Sequence, residues 1–254
     1  MLKNKEEYQA MFKVEEHLWW YKILHEKVLK ALKENFGKNR SLKILDAGCG
    51  TGGMLLNLLK NEYTNSQGFD FNFDAVHFSK LRGLNVQTCD ITSFNGLFEE
   101  NTFDVIICND VLYQFEDEEI TPILINFSKL LKKNGILISN NQAFNIFKGT
   151  HDIAVGSKKR FVLNNFENYL KLNDLKIQES GYWSFFLSPL ILMVRIFQQL
   201  KLKLKLINTE KVTSDVSLPS HFLNSVFYSI VRFEIKLTFS YPFGSSLFII
   251  FSKK

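Results

Sequence analysis

Leu42-Lys43-Ile44-Leu45-Asp46-Ala47-Gly48-Cys49-Gly50-Thr51-Gly52-Gly53-Met54 decides the fold. A short apolar run, Leu42 to Asp46, ends in a glycine turn, and Met54 to Leu59 continues with helical spacing. A strand, a glycine loop and a helix bring backbone N–H groups and a helix N-terminus to one point, which suits a ligand's phosphate or carboxylate. Gly48, Gly50 and Gly53 also satisfy G-x-G-x-x-G, with Asp70 about 20 residues on, as in a dinucleotide site. Asp46 weighs against that reading. A carboxylate two residues before the first glycine repels a pyrophosphate and favours a ligand that carries positive charge.

Outward from the loop, strand and helix alternate. Gln67–Asp70, Asn85–Cys89, Phe103–Cys108 and Ile136–Ser139 read as strands. Asp74–Arg82 and Asp117–Lys132 read as helices, the second with Pro122 in its first turn. Phe103–Cys108 is apolar throughout, as a parallel strand buried on both faces requires. Before the loop, Leu18, Tyr21, Leu24, Val28 and Leu32 give helical spacing from about Glu15 to Asn35, stopped by Gly37. After it, Leu163–Leu172 reads as a helix and Lys176–Trp183 as a strand. Pro189–Leu200 and His221–Phe239 read as helices either side of a polar linker, and Ser246–Ser252 as a final strand. The fold expected is α/β, a Rossmann-like seven-stranded and mostly parallel sheet with an antiparallel last strand. Its parts are an N-terminal helical lid (1–40), the α/β core (41–184), a helical insertion (185–240) and a closing strand (241–254).

Ile44 to Gly52 resembles the first motif of class I S-adenosylmethionine (SAM)-dependent methyltransferases almost letter for letter. Gly68-Phe69-Asp70 is similar to the second motif, Thr88-Cys89-Asp90-Ile91 to the third and Phe103 to Leu112 to the fourth; Leu130 to Gly135 resembles the turn before the fifth strand. The resemblance implies SAM as cofactor. Asp46, Gly48, Cys49 and Gly50 then line its methionine end, and Asp70 takes both ribose hydroxyls. Phe71 packs on the adenine, Asp90 and Ile91 read its edge, and Asn109 meets the methionine moiety through its backbone. Trp20, in the aromatic cluster Trp19-Trp20-Tyr21, closes over the cofactor, with cation–π attraction to the sulfonium, or packs on the sheet as one face of a helix.

The resemblance extends to both ends, to a subgroup of bacterial methyltransferases found with glycan and lipid-linked sugar pathways. Its members open with a segment like Glu16-His17-Leu18-Trp19-Trp20-Tyr21. They carry one like His151-Asp152-Ile153-Ala154-Val155-Gly156 after the fifth strand, then a basic pair and an aromatic, here Lys159-Arg160-Phe161. Where the fourth motif of this subgroup often continues with His, this chain has Gln114; Ser157 and Lys159 stand where His and Arg are usual. His151 and Asp152, in a loop beyond the fifth strand, are the candidate catalytic pair, the His taking a proton from an acceptor hydroxyl. The acceptor expected is a small molecule, glycan or lipid-linked intermediate methylated on oxygen. An NAD(P)-dependent oxidoreductase and a non-catalytic binding module of the same fold remain rival readings.

Composition narrows the classes further. A net charge of +5 with scattered lysines is no nucleic-acid signature. Cys49, Cys89 and Cys108 form no C-x-x-C pair and read as free thiols. No His/Cys set has zinc spacing, so no metal is expected. The charged N-terminus has no following apolar segment of the signal-peptide kind, which points to the cytoplasmic side. Many of the 25 phenylalanines lie after Gly181. Leu190, Ile191, Met193, Val194 and Phe197, followed by Lys201, Lys203 and Lys205, have the composition of a helix lying on the inner face of a membrane. A lid helix or a homodimer interface would account for the same residues.

Overall fold

The computed structural model describes residues 5–94, 96–209, 212–237 and 241–254. Helices α1 (Lys5–Val14) and α2 (Trp19–Phe36) precede strand β1 (Ile44–Ala47). The core continues with α3 (Gly53–Lys60), β2 (Ser66–Asp70), α4 (Phe73–Leu81), β3 (Val86–Thr88), β4 (Phe103–Asn109), α5 (Asp117–Leu130) and β5 (Leu131–Gln142). Then come α6 (Thr150–Ala154), α7 (Leu163–Tyr169), β6 (Leu175–Trp183), α8 (Ser188–Lys203), α9 (His221–Lys236) and β7 (Ser246–Lys253). The seven strands lie in the order β3-β2-β1-β4-β5-β7-β6. All neighbouring pairs are parallel except those of β7, which runs antiparallel to both β5 and β6. This is the Rossmann-like sheet of class I methyltransferases.

Alternation along the strands explains the three layers. Leu45, Ile106, Leu137 and Ile249 join one core with Phe78, Phe127 and Phe166 from α4, α5 and α7. Ile44, Val105, Ile138 and Ile250 point the other way, against Ile23, Leu55 and Val231 from α2, α3 and α9. A strand buried on both faces has no polar side, which is why β4 reads as a continuous apolar run. The chain leaves β1 in opposite directions to β2 and, after β3, to β4. The crevice over the carboxyl ends of β1 and β4 is therefore the switch point where open α/β sheets bind ligands.

Some boundaries differ from the sequence reading. Helix α1 was not among the expected elements, yet it buries Tyr8 and Val14. Helix α5 stops at Leu130 rather than Lys132, because Leu131 already pairs with Phe103 to open β5. Helix α7 ends at Tyr169, three residues early, since Leu172 is left in solvent. Helix α9 is described to Lys236; the expected extension to Phe239 lies outside the described residues.

Candidate active site

The glycine loop is shaped by contacts that leave no room for side chains. Gly48 has φ +78°, and a Cβ there would come within 2.4 Å of Val111 Cγ2. The Gly48 and Cys49 N–H groups both donate to the Phe69 carbonyl, at 2.8 and 2.9 Å, tying the loop to the end of β2. Asp70 closes the turn. Its Oδ2 accepts from the Gly50 N–H at 2.9 Å and its Oδ1 from the Asn72 N–H at 2.8 Å. Ser79 Oγ donates to the Gly50 carbonyl. Strand ends 20 residues apart in sequence thus hold one another through the carboxyl expected to meet a ribose.

A cavity of about 860 Å³ opens above this loop. Asp46, Gly48, Cys49 and Gly50 line it from β1 and the turn, Asp70 and Phe71 from β2, Asp90 and Ile91 from β3, and Asn109 from β4. Phe71 is half in solvent at the rim, Ile91 is buried, and Asp90 Oδ1 accepts from the Thr92 N–H and hydroxyl. Trp20 enters from α2, stacked on Trp183 with ring centroids 5.6 Å apart. Its ring both packs and lines the cavity. Asn109 lines the cavity, and its Oδ1 accepts from the Asn140 N–H, bracing β5.

Electrostatics mark one end of the cavity. Asp46 is buried and its Oδ2 has no hydrogen-bond partner. Burial above all, then the nearby Asp70 and Glu15, pushes its carboxyl up to about 8. Burial also raises Asp70, opposed by its two backbone hydrogen bonds. Two carboxyls held near each other out of water favour a cationic ligand and disfavour a pyrophosphate. An unpartnered acid in a cradle that rejects any Cβ fits the amino-acid end of SAM.

Sequence reading missed Glu15, because nothing local separates it from its neighbour Glu16. Glu16 stays half-exposed with Lys60. Glu15 is buried, accepts from Thr51 Oγ1 at 2.5 Å and from the Gly53 N–H at 3.1 Å, and pairs with Arg82 at 2.9 Å. It therefore caps α3 and fastens the N-terminal helices to the loop. Gly53 allows this approach, since a Cβ would lie 2.4 Å from Glu15 Oε2. Glu15→Ala leaves the buried Arg82 guanidinium with only the more distant Glu16 carboxylate, at 3.9 Å. We expect a loss of roughly 3 kcal/mol in urea unfolding, the range for breaking one side of a buried pair. A loss below about 1 kcal/mol would reduce this contact to a surface ion pair.

One correction concerns the expected catalytic pair. Asp152 does not line the cavity. Both its oxygens face Arg160, accepting from Nε at 2.7 Å and Nη2 at 3.1 Å, and Oδ2 also accepts from the Gly149 N–H. Its work is to hold Arg160, which does line the cavity. His151 lines the cavity, but its Nδ1 accepts the Asp215 N–H at 3.2 Å. Burial, the largest influence, lowers the pKa of the ring and favours its neutral form. A neutral ring that accepts at Nδ1 carries its proton on Nε2 and offers a hydrogen-bond donor there. Tyr8 and Met11 of α1, and Arg195, Asp215 and Ser217 of the insertion, also line the cavity without having been expected. They come from segments remote in sequence, and only packing brings them here.

Part of the cavity lining is apolar. Phe147, Val155, Leu190, Ile191, Val194 and Phe227 form it, largely from α8 and its neighbours. The lid and the insertion are joined directly. Asn224 Oδ1 accepts the Trp19 N–H and Asn224 Nδ2 donates to the His17 carbonyl, both at 2.9 Å. Glu7 accepts from the Ser214 N–H and hydroxyl. Among the described residues no group of side chains could hold a metal ion.

Residues 38–176, more than half of the chain, match the methyltransferase domain family, and the chain belongs to it. Among curated proteins it is similar to the ubiquinone biosynthesis O-methyltransferase of Rickettsia prowazekii (strain Madrid E). The two are 29% identical over 151 residues, which cover 53% of this chain and 58% of that one. Phosphoethanolamine N-methyltransferase of Triticum aestivum is 27% identical over 148 residues, covering 55% of this chain and 28% of that one. The chain thus spans less than two thirds of the length of these relatives. Among solved structures, a SAM-dependent methyltransferase from Archaeoglobus fulgidus superposes with a TM-score of 0.53 at 18% identity, over 90% of this chain and 94% of that one. That likeness speaks to the fold.

Proposed function

We propose that this protein is a class I SAM-dependent methyltransferase acting on a hydroxyl of a small-molecule, glycan or lipid-linked acceptor. One observation carries the reading: a single cavity is lined both by a glycine cradle with an unpartnered buried acid and by apolar side chains of α8 and its neighbours. SAM, when bound, supplies a methyl group on a positively charged sulfur. Asp46 and Asp70 would hold its cationic and ribose parts, and Asp90 and Ile91 the adenine. The N-terminal helices, fastened by Glu15, exclude water from above. The chain's main contribution is to orient two substrates in line. The rival readings differ in a simple titration. SAM and its demethylated product, S-adenosylhomocysteine, bind and NAD(P)H does not; tight NADH binding without SAM binding overturns the reading. A relative named for O-methyl transfer and another named for N-methyl transfer leave the atom to this chain's own cavity.

The lipid-linked acceptor is favoured by the mouth of the cavity. Leu190 and Val194 line the cavity and are also about two-fifths exposed. Beside them Met193, Ile196, Phe197 and Leu200 of α8 lie in solvent, followed by exposed Lys201, Lys203 and Lys205. Among the described residues no helix is long and apolar enough to cross a membrane. A helix of this kind lies in the interface, its lysines each adding roughly 1 kcal/mol near anionic lipid. The protein is expected to float with anionic liposomes at low salt. It should be released at high salt or by Lys→Glu changes at these three positions. If it stays in solution at both salt concentrations, the exposed face belongs to a subunit contact and the lipid-linked acceptor loses its support.

A further inference from the structure

Asp110 stands in the same cavity, just past the end of β4 and next to Asn109. Its backbone is left-handed, φ 54°, a conformation that residues other than glycine seldom adopt. Asn140 holds it there from β5. The Asp110 N–H donates to the Asn140 carbonyl at 2.8 Å, and Asn140 Nδ2 donates to Asp110 Oδ2 at 2.7 Å. Asn140 is fully buried and locked in turn. Its Oδ1 accepts from Trp183 Nε1 at 2.8 Å, and its N–H donates to Asn109 Oδ1 at 2.9 Å. Backbone strain of this kind persists where the surroundings over-determine it, and it clusters at functional sites. The chain Trp183–Asn140–Asp110 occupies one carboxyl oxygen. The other, Oδ1, has no hydrogen-bond partner among the described residues.

We propose that Asp110 is the general base of the methyl transfer, its Oδ1 taking the proton of an acceptor hydroxyl held in the cavity. Asn140 and Trp183 are its positioning residues. The inference rests on the hydroxyl-acceptor reading above. The hydroxyl proton passes to Oδ1 as the oxygen–methyl bond forms. The carbon–sulfur bond breaks with its electron pair going to sulfur, leaving neutral S-adenosylhomocysteine and protonated Asp110, which returns its proton to solvent. The His151 ring, accepting at Nδ1, offers a hydrogen-bond donor at Nε2. Burial raises the Asp110 carboxyl to about 7, opposed by the Asn140 hydrogen bond and the Arg160 charge. A base works best near the pH at which it operates. The other titratable groups that feel Asp110 are Tyr21, Tyr113 and Cys108, all pushed up by burial and neutral near pH 7. Arg160 is paired with Asp152.

Proton release on ligand binding tests this without an acceptor. A sulfonium beside Asp110 lowers its pKa, whereas S-adenosylhomocysteine carries no such charge. Calorimetry in buffers of different ionisation enthalpy, from pH 6 to 8, measures the protons released by each ligand. SAM should release an excess over S-adenosylhomocysteine that peaks near pH 7. Asp110→Asn should abolish the excess while S-adenosylhomocysteine binds with native affinity. Asn140→Ala, which removes a hydrogen bond to the ionised form, should move the peak to higher pH. An excess that survives in Asp110→Asn overturns the proposal, as does native protein that binds both ligands with no excess. If Asp110→Asn fails to bind S-adenosylhomocysteine, Asn140→Ala decides, and a peak unmoved there sinks the idea. Failure of the native protein to bind either ligand would instead remove the methyltransferase reading, so the two failures are distinct. With any hydroxyl acceptor that turns over, Asp110→Asn should lower kcat at saturating SAM by about 10²–10⁴-fold, beyond whatever weakening of SAM binding the lost charge brings; an undiminished kcat refutes the base.

Discussion

Asp70→Ala should weaken binding of both SAM and S-adenosylhomocysteine by about 100-fold or more. The side chain is asked to do two things. Its charge would receive the ribose hydroxyls, each charge-assisted bond worth roughly 1.5–3 kcal/mol. Its oxygens also fix Gly50 and Asn72, and so the shape of the loop. Asp70→Asn separates the roles, since the amide oxygen can still accept from Gly50 while the charge is gone. It should fall between native and Ala. Calorimetric titration with both ligands, alongside a thermal melt to confirm folding, gives the answer. Native affinity in a folded Asp70→Ala protein would mean that the ribose lies elsewhere.

Asp46→Asn should make the ligand-free protein more stable at pH 8 and a much poorer binder of SAM. The sign follows from the raised carboxyl. An unfolded chain releases this proton near pH 4, whereas the folded chain keeps it up to about 8, mainly through burial. Between those values the folded state binds more protons, so Asp46 makes the protein less stable as pH rises. The slope from this one group is at most about 1.4 kcal/mol per pH unit. Asparagine has no such proton to lose, and the slope flattens. Binding goes the other way. A cationic ligand selects the ionised acid, so native affinity for SAM should climb between pH 6 and 8, by up to tenfold per unit. Asp46→Asn should lose both the affinity and the climb. Urea melts at pH 5, 6, 7 and 8, with and without SAM, read both effects; a pH-independent native affinity would place the ammonium away from Asp46.

The core of this fold was legible because its signals are local. Leu42 to Met54 carries strand, turn and helix in thirteen consecutive residues, and β4 announces burial on both faces by its composition. The glycine positions follow from geometry that no other residue satisfies, as the Gly48–Val111 approach shows. The lid and the acceptor end were harder. Helix α1, absent from the expected elements, packs against α4 of the core. His151 and Asp152 look like a catalytic pair because they are adjacent in sequence. Adjacent residues on a short helix face different ways, and Asp152 turned inward to Arg160.

The sequence by itself determined the alternation of strands and helices in the core, the glycine loop and the set of acids Asp46, Asp70 and Asp90 along strand ends. Each depends on a pattern spanning a few residues, set by backbone sterics and burial. Only the tertiary structure decided which acids are partnered and which face a ligand. Glu15 rather than Glu16 is buried, because only it reaches the first turn of α3. Asp152 is consumed by an arginine, while Asp110 is held with one oxygen free by an asparagine from the next strand. A carboxyl's charge and role depend on how far water is excluded and on what stands within a hydrogen bond of it, and residues distant in sequence set both.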